Sequence, residues 1–279
     1  MASDWAADPD EHLANGWERD LPSDDTLLRA YVDAFTEMCA AVARASGGRG
    51  LQDDDVAAAD TGSPVGYMNA GVLLAPLSES RAADVVARLT FFFDDGPGEP
   101  WMVFSATPTP DLRPYGLKPV GHPPLMLRPA GGSRRPPPPD LEVVEVADAA
   151  TLRTLEQTAI DAYPMPELAG AGAGRFMPAS LLDDDSFRFF LGLVDGKPVG
   201  TSMAHRGTSM SHVEYVTATQ AVRGRGYGEA MTWPATLADA GAPSMLIASD
   251  LGRPTYERMG YLPMTRFTLW AGERAKGKG

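Results

Sequence analysis

The sequence predicts a mixed α/β protein built in two halves. Three observations carry that reading. Apolar residues recur at helical spacing in some segments and at strand spacing in others. The elements read from them do not form a repeated strand–helix–strand wheel. A run of four consecutive prolines, Pro136–Pro139, divides the chain near its middle. Hydrophobic residues make up 44% and charged residues 22% of 279 positions, a globular composition whose length suits two domains.

Residues 1–25 are polar and acidic, with Trp5, Trp17 and Leu21 as scattered anchors, and read as a loosely ordered arm. Residues 26–46 place Leu28, Tyr31, Val32, Phe35, Met38, Cys39 and Val42 on one helical face, and Gly47-Gly48 stops that helix. An acidic turn, Asp53-Asp54-Asp55, precedes a strand over Gly66–Leu74. Ser78 is placed to cap a helix running to Phe92, and Phe91-Phe92-Phe93 reads as core. Trp101–Ser105 reads as a strand, 107–116 as a short helix and 117–128 as one strand. Pro129–Asp140 reads as an extended linker.

Beyond the linker, Leu141–Val146 alternates as a strand, and Asp148 is placed to cap a helix through Tyr163. Pro164–Arg175 is rich in Gly, Pro and Ala and reads as a loop over a binding site. Phe187–Val194 and Val199–His205 flank Asp195-Gly196, a two-residue hairpin signal. Val213–Thr217 is a third strand and Arg225–Ala240 a helix. Ser244–Ser249 reads as a buried strand, Arg253–Met259 as a short helix ending at Gly260, and Leu262–Trp270 as the last strand.

The net charge of −13 repels nucleic acid and argues against broad phosphate-backbone binding. It is uneven: residues 1–139 hold 11 basic and 20 acidic residues, residues 140–279 hold 13 and 17. No apolar run reaches the ~20 residues of a membrane helix, so no membrane partner is expected. The acidic start lacks the basic and apolar regions of a secretory signal. Cys39 is the one cysteine, which rules out an intrachain disulfide and a cysteine-rich zinc site. Four dispersed histidines give no metal-ligand spacing, so no metal is expected. These features together predict a cytoplasmic protein.

The segment that carries chemistry is Arg223-Gly224-Arg225-Gly226-Tyr227-Gly228, between the Val213–Thr217 strand and a helix. Glycines let the backbone approach a ligand closely. The first N–H groups of the following helix lack internal partners and sit at the positive end of its dipole. That makes a cradle for a phosphate or pyrophosphate, to which Arg223 and Arg225 can add charge-assisted contacts. The spacing is neither the dinucleotide fingerprint nor a P-loop. No Gly-x-Ser-x-Gly elbow occurs, which argues against a serine hydrolase.

Arg223-x-x-Gly226-x-Gly228 resembles the acyl-CoA pyrophosphate loop of the GNAT-type N-acetyltransferase superfamily. A second stretch resembles that family's ending, in which a strand leads to a short helix bearing a tyrosine, then Gly and an aromatic: Ala248-Ser249-Asp250, then Tyr256, Gly260 and Tyr261. Together with the order of elements, the resemblance covers roughly residues 141–271. The resemblance implies a GNAT fold and acetyl transfer from acetyl-CoA to an amine, and the acidic charge favours an amine in a small molecule. The resemblance also implies that the backbone of Arg223–Gly228, Tyr227 included, binds the pyrophosphate, and that Val216, Thr217 and Ala218 pair with the pantetheine arm. Tyr256 would protonate the departing thiolate. Ser249 stands where the family often has Asn, and its hydroxyl can hydrogen-bond the pantetheine arm. A base must take the amine proton. Glu214 is the candidate, with His212 on the same strand face, or a water, as alternatives. His205 reads as a strand-end polar residue. A non-catalytic acyl-CoA-binding regulator and an interaction module on the same scaffold are the rival readings.

The first half echoes the second. Pro108-Thr109-Pro-Asp-Leu-Arg-Pro-Tyr-Gly116-Leu117 resembles Pro254-Thr255-Tyr-Glu-Arg-Met-Gly260-Tyr261, and a strand and a helix precede each. The turn Leu74–Arg81 lacks glycines, and Leu112 stands where Tyr256 stands in the second copy. The expected layout is an arm (1–25), a degenerate GNAT-like lobe (26–128), a linker (129–140) and a catalytic GNAT domain (141–279). The first lobe is expected to lack an acetyl-CoA site and to wall the acceptor pocket.

Overall fold

The structure is a computed structural model that describes residues 26–96, 100–132, 134–163, 174 and 176–273. The acidic arm and most of the expected loop Pro164–Arg175 therefore lie outside the described residues. The chain divides into two compact units, one of residues 1–125, 247–250 and 264–279, the other of 126–246 and 251–263. Among the described residues no helix is long and apolar enough to cross a membrane.

In the first unit α1 (Thr26–Ala45) follows the predicted helical spacing. The acidic turn joins two strands that the sequence does not announce, β1 (Arg49–Gln52) and β2 (Val56–Asp60), and the Asp53 carboxylate closes it by accepting the Asp55 and Val56 N–H groups. The strand expected over 66–74 shortens to β3 (Ala70–Leu73), because Gly66–Met68 forms a 3-10 turn. In α2 (Glu79–Asp94), Ser78 takes the N-cap position without a side-chain hydrogen bond to the helix. Only Phe93 of the Phe91–Phe93 run is fully buried, since consecutive helical residues point about 100° apart. Phe93 stacks on Trp101 of β4 (Trp101–Ser105) at 4.7 Å. The helix expected over 107–116 reduces to one 3-10 turn at Arg113–Tyr115, because Pro108, Pro110 and Pro114 cannot donate backbone hydrogen bonds.

The largest departure concerns the segments expected as single strands over 117–128 and 262–270. Each is two strands, and the two belong to different sheets. The first splits into β5 (Lys118–Gly121) and β6 (Pro124–Arg128), the second into β12 (Leu262–Arg266) and β13 (Thr268–Gly272). The breaks meet: Phe267 N–H donates to the Pro123 carbonyl at 2.9 Å, and the Arg266 guanidinium donates to the His122 carbonyl at 2.7 Å. The first sheet runs β1-β2-β3-β4-β13-β5. A linear division at 129–140 therefore does not describe the sheets, since each takes one strand from the other half of the sequence.

The second sheet contains β7 (Glu142–Glu145), β8 (Phe187–Val194), β9 (Lys197–Arg206), β10 (Ser211–Ala218) and β11 (Ser244–Ile247), in the order β7-β8-β9-β10-β11-β6-β12. Past β7 it repeats the first sheet strand for strand. Two antiparallel pairs lead to a parallel pair (β3 with β4, β10 with β11), then an inserted strand, then an edge strand. The fold is thus two lobes in tandem. Asp148 caps α3 (Ala149–Ala162) by accepting the Ala150 and Thr151 N–H groups, both at 2.9 Å. Asp195 and Gly196 both adopt positive φ (50° and 72°), which closes the β8–β9 hairpin as expected.

α4 (Tyr227–Thr236) is shorter than the expected 225–240 because Pro234 removes a donor from its last turns. Its Met231 packs over Gly192 and Gly200. A Cβ at Gly200 would lie 2.8 Å from the Thr217 carbonyl oxygen and 2.9 Å from Met231 Cγ. Gly200→Ala is therefore expected to destabilise the fold by about 1–3 kcal/mol, read as a lower unfolding midpoint in denaturant. An unchanged midpoint would contradict this packing.

Candidate active site

The parallel strands β10 and β11 pair only at Ser211–Ser244 and His212–Met245. β10 then continues to Ala218 while β11 ends at Ile247, so the sheet opens along β10 from Glu214 onward. In the first unit β3 and β4 stay paired over all four residues, Ala70–Met102 to Leu73–Ser105. Where the opening starts, β10 bulges. Its pairing with β9 shifts register between Glu214 and Thr217, and Tyr215 sits at φ 51°. The Thr201 hydroxyl holds the bulge, lying 2.7 Å from both the Tyr215 carbonyl and the Thr217 hydroxyl. Val216 and Ala218 are half-buried on this open stretch, while Thr217 is buried.

β10 leads into the glycine loop. Arg223, Gly224, Arg225 and Gly226 are exposed. Gly224 and Gly226 hold φ of 74° and 86°, values that side chains disfavour, and Gly226 is the N-cap of α4. A Cβ built at Gly224 or Gly228 would meet nothing within 4 Å. The start of α4 is therefore open, with its first N–H groups unused inside the helix. This backbone suits an anion.

The side chains of the loop do other work than the sequence suggests. The Arg223 guanidinium donates to the Ala162 carbonyl at the end of α3 (2.8 Å) and to the Ala218 carbonyl (3.4 Å). Tyr227 is buried, and its hydroxyl donates to the Asp140 carboxylate at 2.6 Å. The same Asp140 oxygen lies 3.4 Å from Arg225. The hydrogen bond from Tyr227 holds the Asp140 carboxyl below its usual range and raises the Tyr227 phenol.

Three ionisable groups converge on the opening. His212 and Glu214 share one face of β10, with Nδ1 and Oε1 3.4 Å apart. Burial pushes Glu214 up to about 8. Burial, and then the neighbouring His205, pull His212 down to about 3, so its ring is neutral. His205 lies at the end of β9 as expected, but it is buried directly across from His212, and burial lowers it to about 4. Tyr256 lies on α5 (Arg253–Arg258), with its ring edge-on to Tyr261 at 5.8 Å. Burial raises the Tyr256 phenol well above its usual range, and the charges of Tyr261 and Glu214 add to that. Glu214 and Tyr256 thus share one electrostatic environment.

Ser249 follows β11 and falls in the 247–250 segment of the first unit. Leu112, the counterpart of Tyr256, is fully buried. Three features escape sequence reasoning. Nothing local marks the Tyr215 bulge, and Asp140 lies 87 residues from the Tyr227 that it binds. The third is Arg128, whose guanidinium donates to the Met259 carbonyl at the end of α5 (2.9 Å) and lies over the Trp233 ring of α4. Among the described residues no group of three or more His, Cys, Asp or Glu side chains is placed to hold a metal ion.

No protein-family profile and no curated protein sequence matches the chain. Solved structures do. A GCN5-related N-acetyltransferase from Kribbella flavida aligns with a TM-score of 0.64 at 19% identity, over 88% of this chain and 95% of that one. A conserved protein of unknown function from Staphylococcus epidermidis aligns at 0.58 and 14% identity, over 81% and 93%. A GNAT-family protein from Novosphingobium aromaticivorans aligns at 0.55 and 14% identity, over 87% and 97%. These likenesses establish the GNAT fold across both halves of the chain.

Proposed function

We propose that this GNAT-fold chain is an acetyl-CoA-dependent N-acetyltransferase with one working site, in its second unit. The observation that carries the reading is the opening between β10 and β11, with an anion-ready glycine loop following β10 and with Glu214 of β10 within electrostatic reach of Tyr256 on α5. The pyrophosphate of acetyl-CoA lies on the backbone of Gly224–Gly228, and the open edge of β10 at Val216–Ala218 receives the pantetheine arm as an added strand. Arg223 shapes the loop through its carbonyl contacts rather than by binding phosphate. The first lobe, zipped at β3–β4 and with Leu112 in place of a tyrosine, carries no chemistry.

An acceptor amine forms the new N–C bond at the thioester carbonyl as the C–S bond breaks and its electron pair passes to sulfur. Glu214 takes the amine proton, directly or through water. Tyr256 gives its phenolic proton to the departing thiolate. Burial suits Glu214 to its part, since a carboxylate raised to about 8 is a stronger base than an exposed one, and Tyr256 stays protonated and so has a proton to give. A primary amine of a small molecule is the acceptor class that the acidic surface favours.

Incubation with acetyl-CoA and a panel of primary amines, read by thiol release and acetyl-amine formation, tests the activity. The base must be ionised to act, so kcat/KM is expected to rise with pH and level off above an apparent pKa near 8. That limb should disappear in Glu214→Gln. An identical limb in the variant would remove Glu214 from the mechanism.

A further inference from the structure

We infer that the proline-rich strap binds the ribose 3′-phosphate of coenzyme A through Arg134 and Arg135; this rests on the acetyl-CoA reading above. The strap is fixed to the glycine loop at its downstream end. Asp140 holds Tyr227 and Arg225, and Pro138 Cγ lies 3.9 Å from the position a Cβ would take on Gly226. The Leu141 N–H donates to the Pro138 carbonyl at 3.0 Å and closes the turn there. Upstream, Gly132 packs against the Arg128 guanidinium, so the strap is held there too.

Between these points four prolines lock φ, which keeps the chain extended. In such a chain residues three apart share a face about 9 Å apart. Arg135 therefore lies one turn before Pro138, on the face that Pro138 turns to the loop. Arg134 and Arg135 are both exposed, and among the described residues no hydrogen bond or ion pair engages either guanidinium.

The charge balance of the site favours such groups. Coenzyme A brings a pyrophosphate and a separate phosphate monoester to a chain of net charge −13. The two arginines of the loop itself are already engaged, Arg223 by carbonyls and Arg225 by Asp140. Arg134 and Arg135 lie on the strap that is anchored beside the loop at Pro138 and Asp140, and a guanidinium fork matches the oxygens of the second phosphate.

Calorimetric titration with acetyl-CoA and with acetyl-3′-dephospho-CoA tests this. The wild type is expected to bind acetyl-CoA at least tenfold more tightly than the dephospho form. The Arg134→Gln/Arg135→Gln double variant, altered only at exposed positions, should bind both with the affinity that the wild type shows for the dephospho form. Equal binding of the two ligands by the wild type, or a tenfold preference kept by the double variant, would overturn the inference and leave the acetyl-CoA reading standing. Binding of neither ligand by the wild type would overturn both.

Discussion

Tyr256→Phe is expected to lower acetyl-transfer turnover by about 10²-fold or more, the usual worth of a positioned general acid, while acetyl-CoA affinity changes little. The substitution removes one oxygen and keeps the ring. The edge-on contact with Tyr261 at 5.8 Å, which packs α5, is therefore retained. What is lost is the proton for the departing thiolate, a contribution made only in the transition state. Such a loss lowers kcat and kcat/KM together. Steady-state kinetics beside a binding titration separates the two quantities. Full turnover in the variant would mean that sulfur leaves without help from Tyr256.

Gly228→Val is expected to weaken acetyl-CoA binding at least tenfold without unfolding the protein. Gly226→Val would mix two effects, because Gly226 sits at φ 86° and any side chain there is strained. Gly228 lies inside the first turn of α4, outside the positive-φ positions, and a Cβ there meets nothing within 4 Å. Valine has somewhat better helix propensity than glycine, so the free protein should be unharmed or slightly stabilised. The same open space is where a phosphate must come close to the helix N-terminus. A branched side chain in it takes the ligand's place. Weakened binding with an undiminished unfolding midpoint is the expected pair of results.

Features that depend on a few neighbouring residues were legible in the sequence. Asp148 announces a helix start, Asp195-Gly196 a hairpin, and the alternating glycines at 224–228 a strand-to-helix turn. Period-two alternation correctly places His212 and Glu214 on one face. What stayed hidden depends on partners far along the chain. Val56-Ala57-Ala58-Ala59 is a strand because both its faces are covered, so it shows none of the alternation that marks a half-exposed strand. The strand exchange falls at His122-Pro123 and at Phe267, and neither break names the sheet each piece will join. Asp140 reads as the end of a linker until the fold brings it to Tyr227. Arg223 reads as a phosphate ligand until the Ala162 carbonyl is placed beside it.

The central claim is that the opening between β10 and β11 with its glycine loop is an acetyl-CoA site. Calorimetric titration of the wild type and Gly228→Val with acetyl-CoA tests it most directly. One equivalent bound by the wild type, with affinity at least tenfold weaker in a folded Gly228→Val, is the predicted result. No heat of binding to the wild type, or equal affinity in the two proteins, would contradict it.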